Sequence, residues 1–386
     1  MKRVVILLLD GVGCGALPDA IKYGDENSNT LGNLANQLGE LDLPVLQSLG
    51  LGNIISIKGV PLLDSPLASY GKAMELSAGK DSTIGHWELM GVVTSKPFPV
   101  FLDGFPEAML KKFSSAIPQG NVLGGEAASG TEIIARLGDE HIKTGYPIVY
   151  TSADSVFQIA AHKSVIPLDE LYRLCEIARE MFPDIARIIA RPFIGESGAF
   201  KRVPERRDYS LPPPGITLLD LLKEKNFEVT TIGKVNYLFT DRGITESINT
   251  KDNFDVADKT MKTLASKTAD GIIFANFLDF DMLWGHRNDV ANFAKGLEYF
   301  DEWLKGFLNK LDKNDILFIT ADHGNDPTTS STDHSREYIP ILVYGDKIAK
   351  GKYIGVRQTF ADVGATIGEH FGIKLPQGKS FLSDVL

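Results

Sequence analysis

The chain has 386 residues, of which 43% are hydrophobic and 23% are charged, and its formal net charge at pH 7 is −10. These values are typical of a globular protein of roughly two to three domains, and the acidic balance disfavours nucleic-acid binding, which usually needs a basic surface. The sequence has no apolar stretch near the roughly 18 residues of a membrane-spanning helix, and its two cysteines lie too far apart to suggest a thiolate zinc site or a disulfide framework.

The first predicted element is a buried strand at residues 4–9, which follows Lys2 and Arg3. Basic residues before an apolar run also begin a signal peptide, but this run is only six residues long and ends in Asp10. No small-residue cleavage site follows it. We therefore expect a core strand and a cytoplasmic protein.

Strands and helices alternate at the start of the sequence and again in its C-terminal half. The predicted segments, in chain order after the first strand, are a helix capped by Ser28 or Asn29 and ending at Leu38, strands at 148–151 and 187–190 with a helix at 168–181 between them, a helix at 217–225, a strand at 229–233, a helix at 256–267, a strand ending at Asp281, a long amphipathic helix at 290–311, a strand ending at Asp322, a strand at 340–344 and a helix at 361–371. Alternation of this kind predicts an α/β fold with a doubly wound, mostly parallel sheet.

Two proline-flanked segments, Lys96–Pro99 and Leu211–Gly215, interrupt the alternation. The blocks on both sides of the interruption carry candidate metal ligands, so they must belong to one domain. We therefore predict a metal-binding catalytic core made of residues 1–95 plus 215–386. Residues 96–214 are then an inserted α+β cap domain, a lid over the strand ends.

Three apolar runs of the core each end in an aspartate, and histidines follow two of these aspartates. Short apolar runs are typical of buried strands in a parallel sheet, and ligands bind beyond the carboxyl ends of such strands. A lone aspartate there is more often a helix cap, and a lone histidine is more often structural, but their joint placement favours two metal ions. Mixed carboxylate and imidazole ligands suit Zn²⁺, Mn²⁺ or Fe²⁺. The candidate ligands are Asp10, Asp281, His286, Asp322, His323 and His334.

A hydroxyl residue, Ser82 or Thr83, opens a predicted helix in the segment Lys80–Glu88. The free N–H groups and the dipole of a helix start favour an anion there. A metal ion can lower the pKa of a hydroxyl group and so make it a nucleophile at neutral pH. The alternative is an ordinary helix cap, but the metal cluster favours a nucleophile.

A basic cluster within this acidic protein is the third feature. Arginine binds phosphate through a two-pronged guanidinium contact, and hydroxyl or carboxylate groups bind sugar hydroxyls. A solvated face with ion pairs, and ordinary turn chemistry, are the alternatives. The candidate substrate-binding residues are Arg187, Arg191, Arg202 and Lys234 for phosphate, with Ser152 and Asp154 for a sugar.

Together these motifs resemble the alkaline phosphatase superfamily and, within it, the phosphopentomutases. The segments that carry the resemblance span essentially the whole chain and are Leu9–Gly13, Gly79–Asp81, Gly85–Glu88, Ala128–Glu132, Tyr150–Ser155, Ile189–Phe193 and Asp322–Pro327. The resemblance implies an alkaline-phosphatase-like core with two divalent metal ions, usually Mn²⁺. It assigns one ion to Asp10, Asp322, His323 and the nucleophile oxygen, and the other to Asp281, His286 and His334.

The chain departs from the family pattern at one position, because Ser82 stands directly after Lys80–Asp81 where the family has threonine. Related cofactor-independent phosphoglycerate mutases have a nucleophilic serine four residues before the histidine of a Gly-His pair. Ser82 has this spacing to His86, so the resemblance selects Ser82 and leaves Thr83 as a minor candidate. It likewise selects Asp281 over Asp279 as the metal ligand.

The resemblance implies an isomerase that interconverts α-D-ribose 1-phosphate, or its 2-deoxy form, with the 5-phosphate. Phosphorylated Ser82 and a sugar bisphosphate intermediate would carry the phosphoryl group, and a sugar bisphosphate would act as activator. The expected partners are small-molecule pentose phosphates, with no nucleic acid, no membrane and no prediction of oligomeric state. The alternative is a metal-dependent phosphatase or an enzyme like the cofactor-independent phosphoglycerate mutases.

Overall fold

The computed structural model describes residues 2–152 and 155–386. The chain forms two compact units: Met1–Pro97 together with Pro212–Leu386 make the larger one, and Phe98–Leu211 make the smaller one. Among the described residues, no helix combines the length and the apolar character needed to cross a membrane.

The described parts of the two units contain fourteen strands and thirteen α-helices. The strands are β1 (Arg3–Leu9), β2 (Ser69–Ala73), β3 (Leu123–Ala127), β4 (Ile148–Thr151), β5 (Val156–His162), β6 (Arg187–Ile194), β7 (Lys201–Arg202), β8 (Arg207–Ser210), β9 (Glu228–Ile232), β10 (Glu246–Ile248), β11 (Gly271–Phe277), β12 (Asp315–Thr320), β13 (Ile339–Tyr344) and β14 (Tyr353–Arg357). The helices are α1 (Thr30–Leu38), α2 (Pro44–Leu49), α3 (Leu51–Ile54), α4 (Ser82–Leu89), α5 (Glu107–Ala116), α6 (Gly130–Thr144), α7 (Leu168–Met181), α8 (Leu218–Glu224), α9 (Val235–Leu238), α10 (Asn253–Ser266), α11 (Val290–Leu308), α12 (Ala361–His370) and α13 (Leu382–Val385).

The larger unit is built on an eight-stranded sheet in the order β10-β9-β11-β1-β12-β13-β2-β14. The three central strands, β11, β1 and β12, are buried at every position, as expected for uninterrupted apolar runs covered on both faces. They run parallel, with Leu8 of β1 opposite Asn276 of β11 and Thr320 of β12, so their carboxyl ends are level. Only β13 breaks the parallel direction, because it pairs antiparallel with β12 and β2. The predicted α/β fold class is confirmed.

Helix starts in the larger unit follow local capping chemistry. The Asn29 side chain accepts a hydrogen bond from the Gly32 N–H at the start of α1. At the start of α8, Thr217 and Asp220 form a reciprocal capping box. Such caps satisfy N–H groups that have no acceptor within the helix, and they fix where each helix begins.

The smaller unit has a six-stranded sheet in the order β3-β4-β5-β6-β7, with β8 paired to β6. Val149 of β4 belongs to one apolar cluster, while its neighbours Ile148 and Tyr150 belong to another. Because successive side chains of a strand point to opposite faces, the two clusters cover opposite faces of the sheet. The second cluster includes Ile133 and Ile134 of α6, so this helix packs on the Tyr150 face.

Candidate metal centre

Three carboxylates stand at the carboxyl ends of the three central strands. Asp10 directly follows β1 and Asp322 follows β12 after one residue, while Asp281 lies in a π-helical turn, Phe280–Trp284, beyond β11. All three are at most 5% exposed. The adjacency of the strands therefore brings together residues that are more than 270 positions apart in the sequence.

Each carboxylate is held by a hydrogen bond from a neighbouring strand end. The Asn276 side chain donates to Asp10 Oδ2 at 2.8 Å, and the Gly11 N–H donates to Asp322 Oδ1 at 3.1 Å. The Asn325 side chain donates to Asp281 Oδ1 at 2.7 Å. These bonds orient the carboxylates before any ligand binds. Neither asparagine was predicted as a site residue from the sequence, although Asn325 lies in the motif Asp322–Pro327, whereas no local pattern marks Asn276.

Asp281 is flanked by two imidazoles. His286 Nε2 lies 3.3 Å from Asp281 Oδ2, and His334 Nε2 lies 3.2 Å from Asp281 Oδ1. The three residues offer ligand atoms within 4.8 Å of one another, which is a spacing that one metal ion can bridge. This trio is the one that the resemblance assigns to the second ion.

His323 lies between the other two carboxylates and the serine at the start of α4. Its Nε2 is 3.4 Å from Asp10 Oδ1, 3.3 Å from Asp322 Oδ2 and 2.9 Å from Ser82 Oγ. Ser82 Oγ is also 3.4 Å from Asp10 Oδ1. The described structure thus brings together the four groups that the resemblance assigns to the first ion.

Backbone carbonyls hold two of the imidazoles in one tautomer. His286 Nδ1 lies 2.7 Å from the Thr332 carbonyl oxygen, and His323 Nδ1 lies 2.9 Å from that of Gly324. A carbonyl only accepts, so Nδ1 carries the proton in each ring and Nε2 is left to face the carboxylates. This arrangement is typical of metal-binding histidines, whose outer nitrogen is oriented by a backbone acceptor. The donor set therefore fits divalent metal ions.

The pKa shifts of the buried groups indicate that the three carboxylates need positive charge nearby. Burial and the neighbouring charge of Asp322 raise the pKa of Asp10 above its usual value. Burial alone would lower the pKa of His323, but the carboxylates of Asp322 and Asp10 hold it well above the usual value. Burial would raise the pKa of Asp281, yet His286 and His334 hold it well below the usual range. A bound divalent cation would supply the positive charge that imidazole protons supply in its place.

The loop between β12 and β13 carries candidate ligands of both ions. His323 and His334 stand at its two ends, and Thr332 within it holds His286. Reciprocal backbone hydrogen bonds between Gly324 and Ser335, of 3.1 and 2.7 Å, close the base of the loop. A single closed loop therefore positions all three imidazoles.

Ser82 is the first residue of α4, and it does not cap that helix. The cap is Asp81, whose side chain accepts hydrogen bonds from the N–H groups of Thr83 and Ile84. The alternative interpretation of Ser82 or Thr83 as an ordinary cap is therefore wrong. The Ser82 hydroxyl faces His323 and Asp10, whereas the backbone N–H of Thr83 donates to Asp81.

His86 also contacts the site, although it was not among the predicted site residues. It is fully buried, and its Nδ1 lies 2.8 Å from the Ser82 carbonyl oxygen and 3.0 Å from Asp322 Oδ2. Its ring stacks on Phe274 of β11, with ring centroids 5.7 Å apart. The signal was present in the sequence, because residues four apart on a helix share a face and Ser82 and His86 have this spacing.

Arg336 connects the loop between β12 and β13 to the segment that leads to Ser82. It lies two residues after His334, and its side chain is only 3% exposed. Its guanidinium donates to the carboxylates of Glu75 and Asp19 and to the carbonyls of Glu75, Ser77 and Gly79. Gly79 is three residues before Ser82, so this one side chain holds the segment that leads to Ser82.

The predicted substrate-binding residues divide between the two units. Lys234, in the larger unit, directly precedes α9, and its Nζ lies 3.0 Å from Met282 Sδ, next to the turn that carries Asp281. Asp154 lies outside the described residues. The remaining four belong to the smaller unit and are Ser152, Arg187, Arg191 and Arg202.

Asp279 has a structural role that separates it from Asp281. Its Oδ2 accepts a hydrogen bond from the Asn253 N–H at 2.8 Å, and its own N–H donates to Asn253 Oδ1 at 3.0 Å. These two bonds tie the end of β11 to the start of α10. Asp281, by contrast, faces the imidazoles of His286 and His334.

The fold and the donor set define a metalloenzyme, and residues 2–375 match the metalloenzyme superfamily, to which the chain belongs. The chain is 54% identical to a phosphopentomutase of Desulfitobacterium hafniense and 53% identical to one of Acetivibrio thermocellus, with 100% of each chain covered. Within the superfamily, the chain is therefore a member of the phosphopentomutase family, and the predicted family is confirmed.

The fold has a counterpart among solved structures. A protein of Pyrococcus horikoshii aligns with a TM-score of 0.51 and 13% sequence identity, covering 98% of this chain and 99% of that one. At this identity the likeness supports the architecture alone.

Proposed function

We propose that the chain is a phosphopentomutase that interconverts α-D-ribose 1-phosphate, or 2-deoxyribose 1-phosphate, with the corresponding 5-phosphate. Its relatives at 50–54% identity carry this name over essentially their full length. The observation that carries the assignment to named residues is the contact of Ser82 Oγ with His323 Nε2 at 2.9 Å, beside Asp10.

Two divalent cations are part of this proposal, with Mn²⁺ as the first choice. Asp10, Asp322 and His323 would hold one beside Ser82, and Asp281, His286 and His334 would hold the other. When bound, the cations would lower the pKa of the serine hydroxyl and neutralise charge on the phosphoryl group in transfer. The His286 and His323 rings, fixed by backbone carbonyls, would keep their Nε2 atoms aimed at that position.

The reaction begins with Ser82 in its phosphorylated form, which a sugar bisphosphate generates. The Ser82 phosphate passes to the free hydroxyl of the bound sugar phosphate, and a bisphosphate forms as the Oγ–P bond breaks. The second phosphate then passes back to Ser82 Oγ, and the isomeric monophosphate leaves. The start of α4 suits the serine to this role, because a helix N-terminus favours negative charge.

In this proposal the smaller unit is the cap, and its arginines hold the phosphate that is not being transferred. Exclusion of water matters, because water would divert the phosphoenzyme to hydrolysis. Arg191→Ala is then expected to raise the ratio of inorganic phosphate to isomerised product. An unchanged ratio would remove Arg191 from this role.

The direct test is phosphorus NMR of the Mn²⁺-loaded protein with ribose 5-phosphate and a trace of sugar bisphosphate. We expect a ribose 1-phosphate signal to grow without inorganic phosphate. Inorganic phosphate alone would identify a phosphatase, and the mutase proposal would be wrong.

The nucleophile is tested by comparing Ser82→Ala with Thr83→Ala. Incubation with a radiolabelled sugar bisphosphate is expected to label the wild type and Thr83→Ala, and to leave Ser82→Ala unlabelled. Metal content, measured on the same samples, shows whether the loss reflects the missing hydroxyl or a damaged metal centre. Full labelling of Ser82→Ala would move the role to Thr83.

A further inference from the structure

The last residue of the motif Gly85–Glu88 has no part in the proposed function. Glu88 is fully buried in α4, six residues after Ser82 on the same helix. Within residues 2–152 and 155–386, its hydrogen-bond partners are neutral groups, and no lysine or arginine forms an ion pair with it. Burial of a carboxylate is costly unless other groups compensate for the lost water, so the contacts of Glu88 need a reason.

Four donors from two distant parts of the chain satisfy the Glu88 carboxylate. Its Oε2 accepts from the Ser77 N–H at 2.6 Å, and its Oε1 accepts from the Leu76 N–H at 2.8 Å. The same Oε1 accepts from the Thr359 hydroxyl at 2.7 Å and from the Phe360 N–H at 2.9 Å. Hydrogen bonds to an ionised acceptor are shorter and stronger than those between neutral groups. Glu88 therefore binds two separate segments firmly to α4.

The first of these segments leads from β2 to the helix of Ser82. Residues 75–79 form neither a helix nor a strand, so their backbone groups need partners outside regular secondary structure. Arg336 donates to three carbonyls of this segment, while Glu88 accepts from two of its N–H groups. The path of the chain towards Ser82 thus depends on side chains that other elements supply.

The hydrogen bonds of Glu88 also close the chain into a loop that contains Ser82. Leu76 and Glu88 are 12 positions apart, and Ser82 stands midway between them. Thr359 and Phe360, which directly precede α12, attach the closure of this loop to a third element. A loop whose two ends are joined has fewer conformations than an open one. The closure restricts where the start of α4 can lie.

We propose that Glu88 is a positioning residue for the nucleophile, which keeps the Ser82 hydroxyl beside His323 and Asp10. The inference rests on the proposed function, in which Ser82 carries the phosphoryl group. Glu88 acts through the backbone, because its partners are three N–H groups and the hydroxyl of Thr359. Loss of this carboxylate would let the Leu76–Ser77 segment and the start of α4 shift away from His323.

The test compares Glu88→Gln with the matched control Asp301→Asn. Asp301, in α11, is 2% exposed and likewise accepts from two successive N–H groups, those of Val45 and Leu46, at 3.0 and 2.7 Å. Each substitution keeps the size of the side chain but turns one acceptor oxygen into an NH₂ group, which only donates. A donor then faces a backbone N–H in both variants, and only Glu88→Gln affects the segment that leads to Ser82.

Hydrogen exchange measured by mass spectrometry shows whether Glu88 holds its segment. Glu88→Gln is expected to speed exchange in the peptides that contain Leu76 and Ser77. Asp301→Asn is expected to leave those peptides unchanged and to speed exchange at Val45 and Leu46. Unchanged exchange at Leu76 and Ser77 in Glu88→Gln would overturn the proposal. This measurement needs no activity, so it decides the point even if the proposed function fails.

Single-turnover labelling of the Mn²⁺-loaded protein with a radiolabelled sugar bisphosphate shows whether the hold matters for Ser82. We expect Glu88→Gln to lower the rate constant at saturating bisphosphate about tenfold, as for a reacting group displaced by a fraction of an ångström. The final amount of label per folded, metal-loaded protein should stay the same. A purely structural defect would lower the amount of label and leave the rate constant unchanged, and that result would overturn the proposal. Asp301→Asn should label at the wild-type rate, whereas absence of label in the wild type would count against the proposed function.

Thr359 provides a milder pair of variants in case Glu88→Gln does not fold. Thr359→Val removes the hydroxyl that donates to Glu88, and Thr359→Ser keeps it. We expect Thr359→Val to slow labelling about threefold, the effect of losing one hydrogen bond to the positioning carboxylate, and Thr359→Ser to label at the wild-type rate. Equal rate constants in the two variants would overturn the proposal.

Discussion

Arg336 offers the sharpest test of how the fold supports the site, because the chain contains a matched counterpart in Arg3. Both side chains are 3% exposed. Arg336 contacts the buried carboxylate of Glu75 at 2.7 Å, and Arg3 contacts that of Asp315 at 2.6 Å. Each also donates to backbone carbonyls. They differ in position, since Arg3 begins β1 at the amino edge of the sheet and Arg336 lies in the loop between β12 and β13.

Replacement of either arginine by methionine leaves a buried carboxylate without its partner. Breaking a buried ion pair in this way costs about 3–5 kcal/mol of unfolding free energy. Burial already raises the pKa of Glu75 well above its usual value, so protonation would relieve part of the cost at that site. We therefore expect about 3 kcal/mol for Arg336→Met and a similar or larger loss for Arg3→Met, measured by urea unfolding.

The two variants should differ in activity. Arg336 donates to the carbonyls of Ser77 and Gly79, so its loss frees the segment that leads to Ser82. A displacement of a reacting group by about 1 Å can cost roughly a hundredfold in rate. We expect phosphoenzyme formation from a sugar bisphosphate to slow by about tenfold to a hundredfold in Arg336→Met, and by less than about threefold in Arg3→Met, under conditions in which both are folded. Equal slowing in the two variants would refute the positioning role.

Three further outcomes are expected. Gly85→Ala should lower the free energy of unfolding by about 2 kcal/mol and reduce metal content, because its Cβ would lie 2.1 Å from the Asp322 carbonyl oxygen. The control Gly306→Ala, whose Cβ meets no described atom within 4 Å, should raise the free energy of unfolding by roughly 0.5–1 kcal/mol. A stable, metal-loaded Gly85→Ala would contradict this. Burial raises the pKa of Glu337 from 4.5 to about 7, so the stability of the wild type relative to Glu337→Gln should fall by about 3 kcal/mol as pH rises from 4.5 to 7; a pH-independent difference would argue against it. Mn²⁺ at about a hundred times its dissociation constant should raise the free energy of unfolding by about 2.7 kcal/mol per site, and a chelator should abolish this increase. A Tm that does not change on addition of Mn²⁺ would contradict a metal centre.

The parts of the fold that were predictable are those encoded in short stretches of sequence. The uninterrupted apolar runs of β1, β11 and β12 mark central strands, and α7 was predicted with the bounds that the structure has, Leu168–Met181. The long helix was predicted to end at Leu311, but it ends at Leu308. Periodicity identifies a helix better than it identifies its last turn, since helix ends depend on neighbouring contacts.

Other elements depend on partners that no local pattern reveals. β2, with the sequence Ser69–Ala73, has no apolar run, and it is a strand because it pairs with β13 and β14. The candidate ligands were identifiable because three aspartates follow apolar runs and the histidines come within a few residues of them or in the next polar loop. Arg336 could not be identified from the sequence, because its partners Glu75 and Gly79 lie more than 250 residues earlier in the chain.

The closed loop between β12 and β13 has a consequence for metal loading. His323 at one end is a candidate ligand of the first ion, and His334 at the other end is a candidate ligand of the second. The hydrogen-bonded pair Gly324–Ser335 joins the two ends. The hydrogen-bonded base couples the two ends of the loop, so an ion bound at one end restricts the imidazole that the second ion needs. The two sites should therefore fill cooperatively, with a Hill coefficient above 1 in a calorimetric Mn²⁺ titration. A half-loaded enzyme would then be a minor species at intermediate Mn²⁺ concentrations, and the protein would respond to the supply of metal as a switch between an empty and a fully loaded centre.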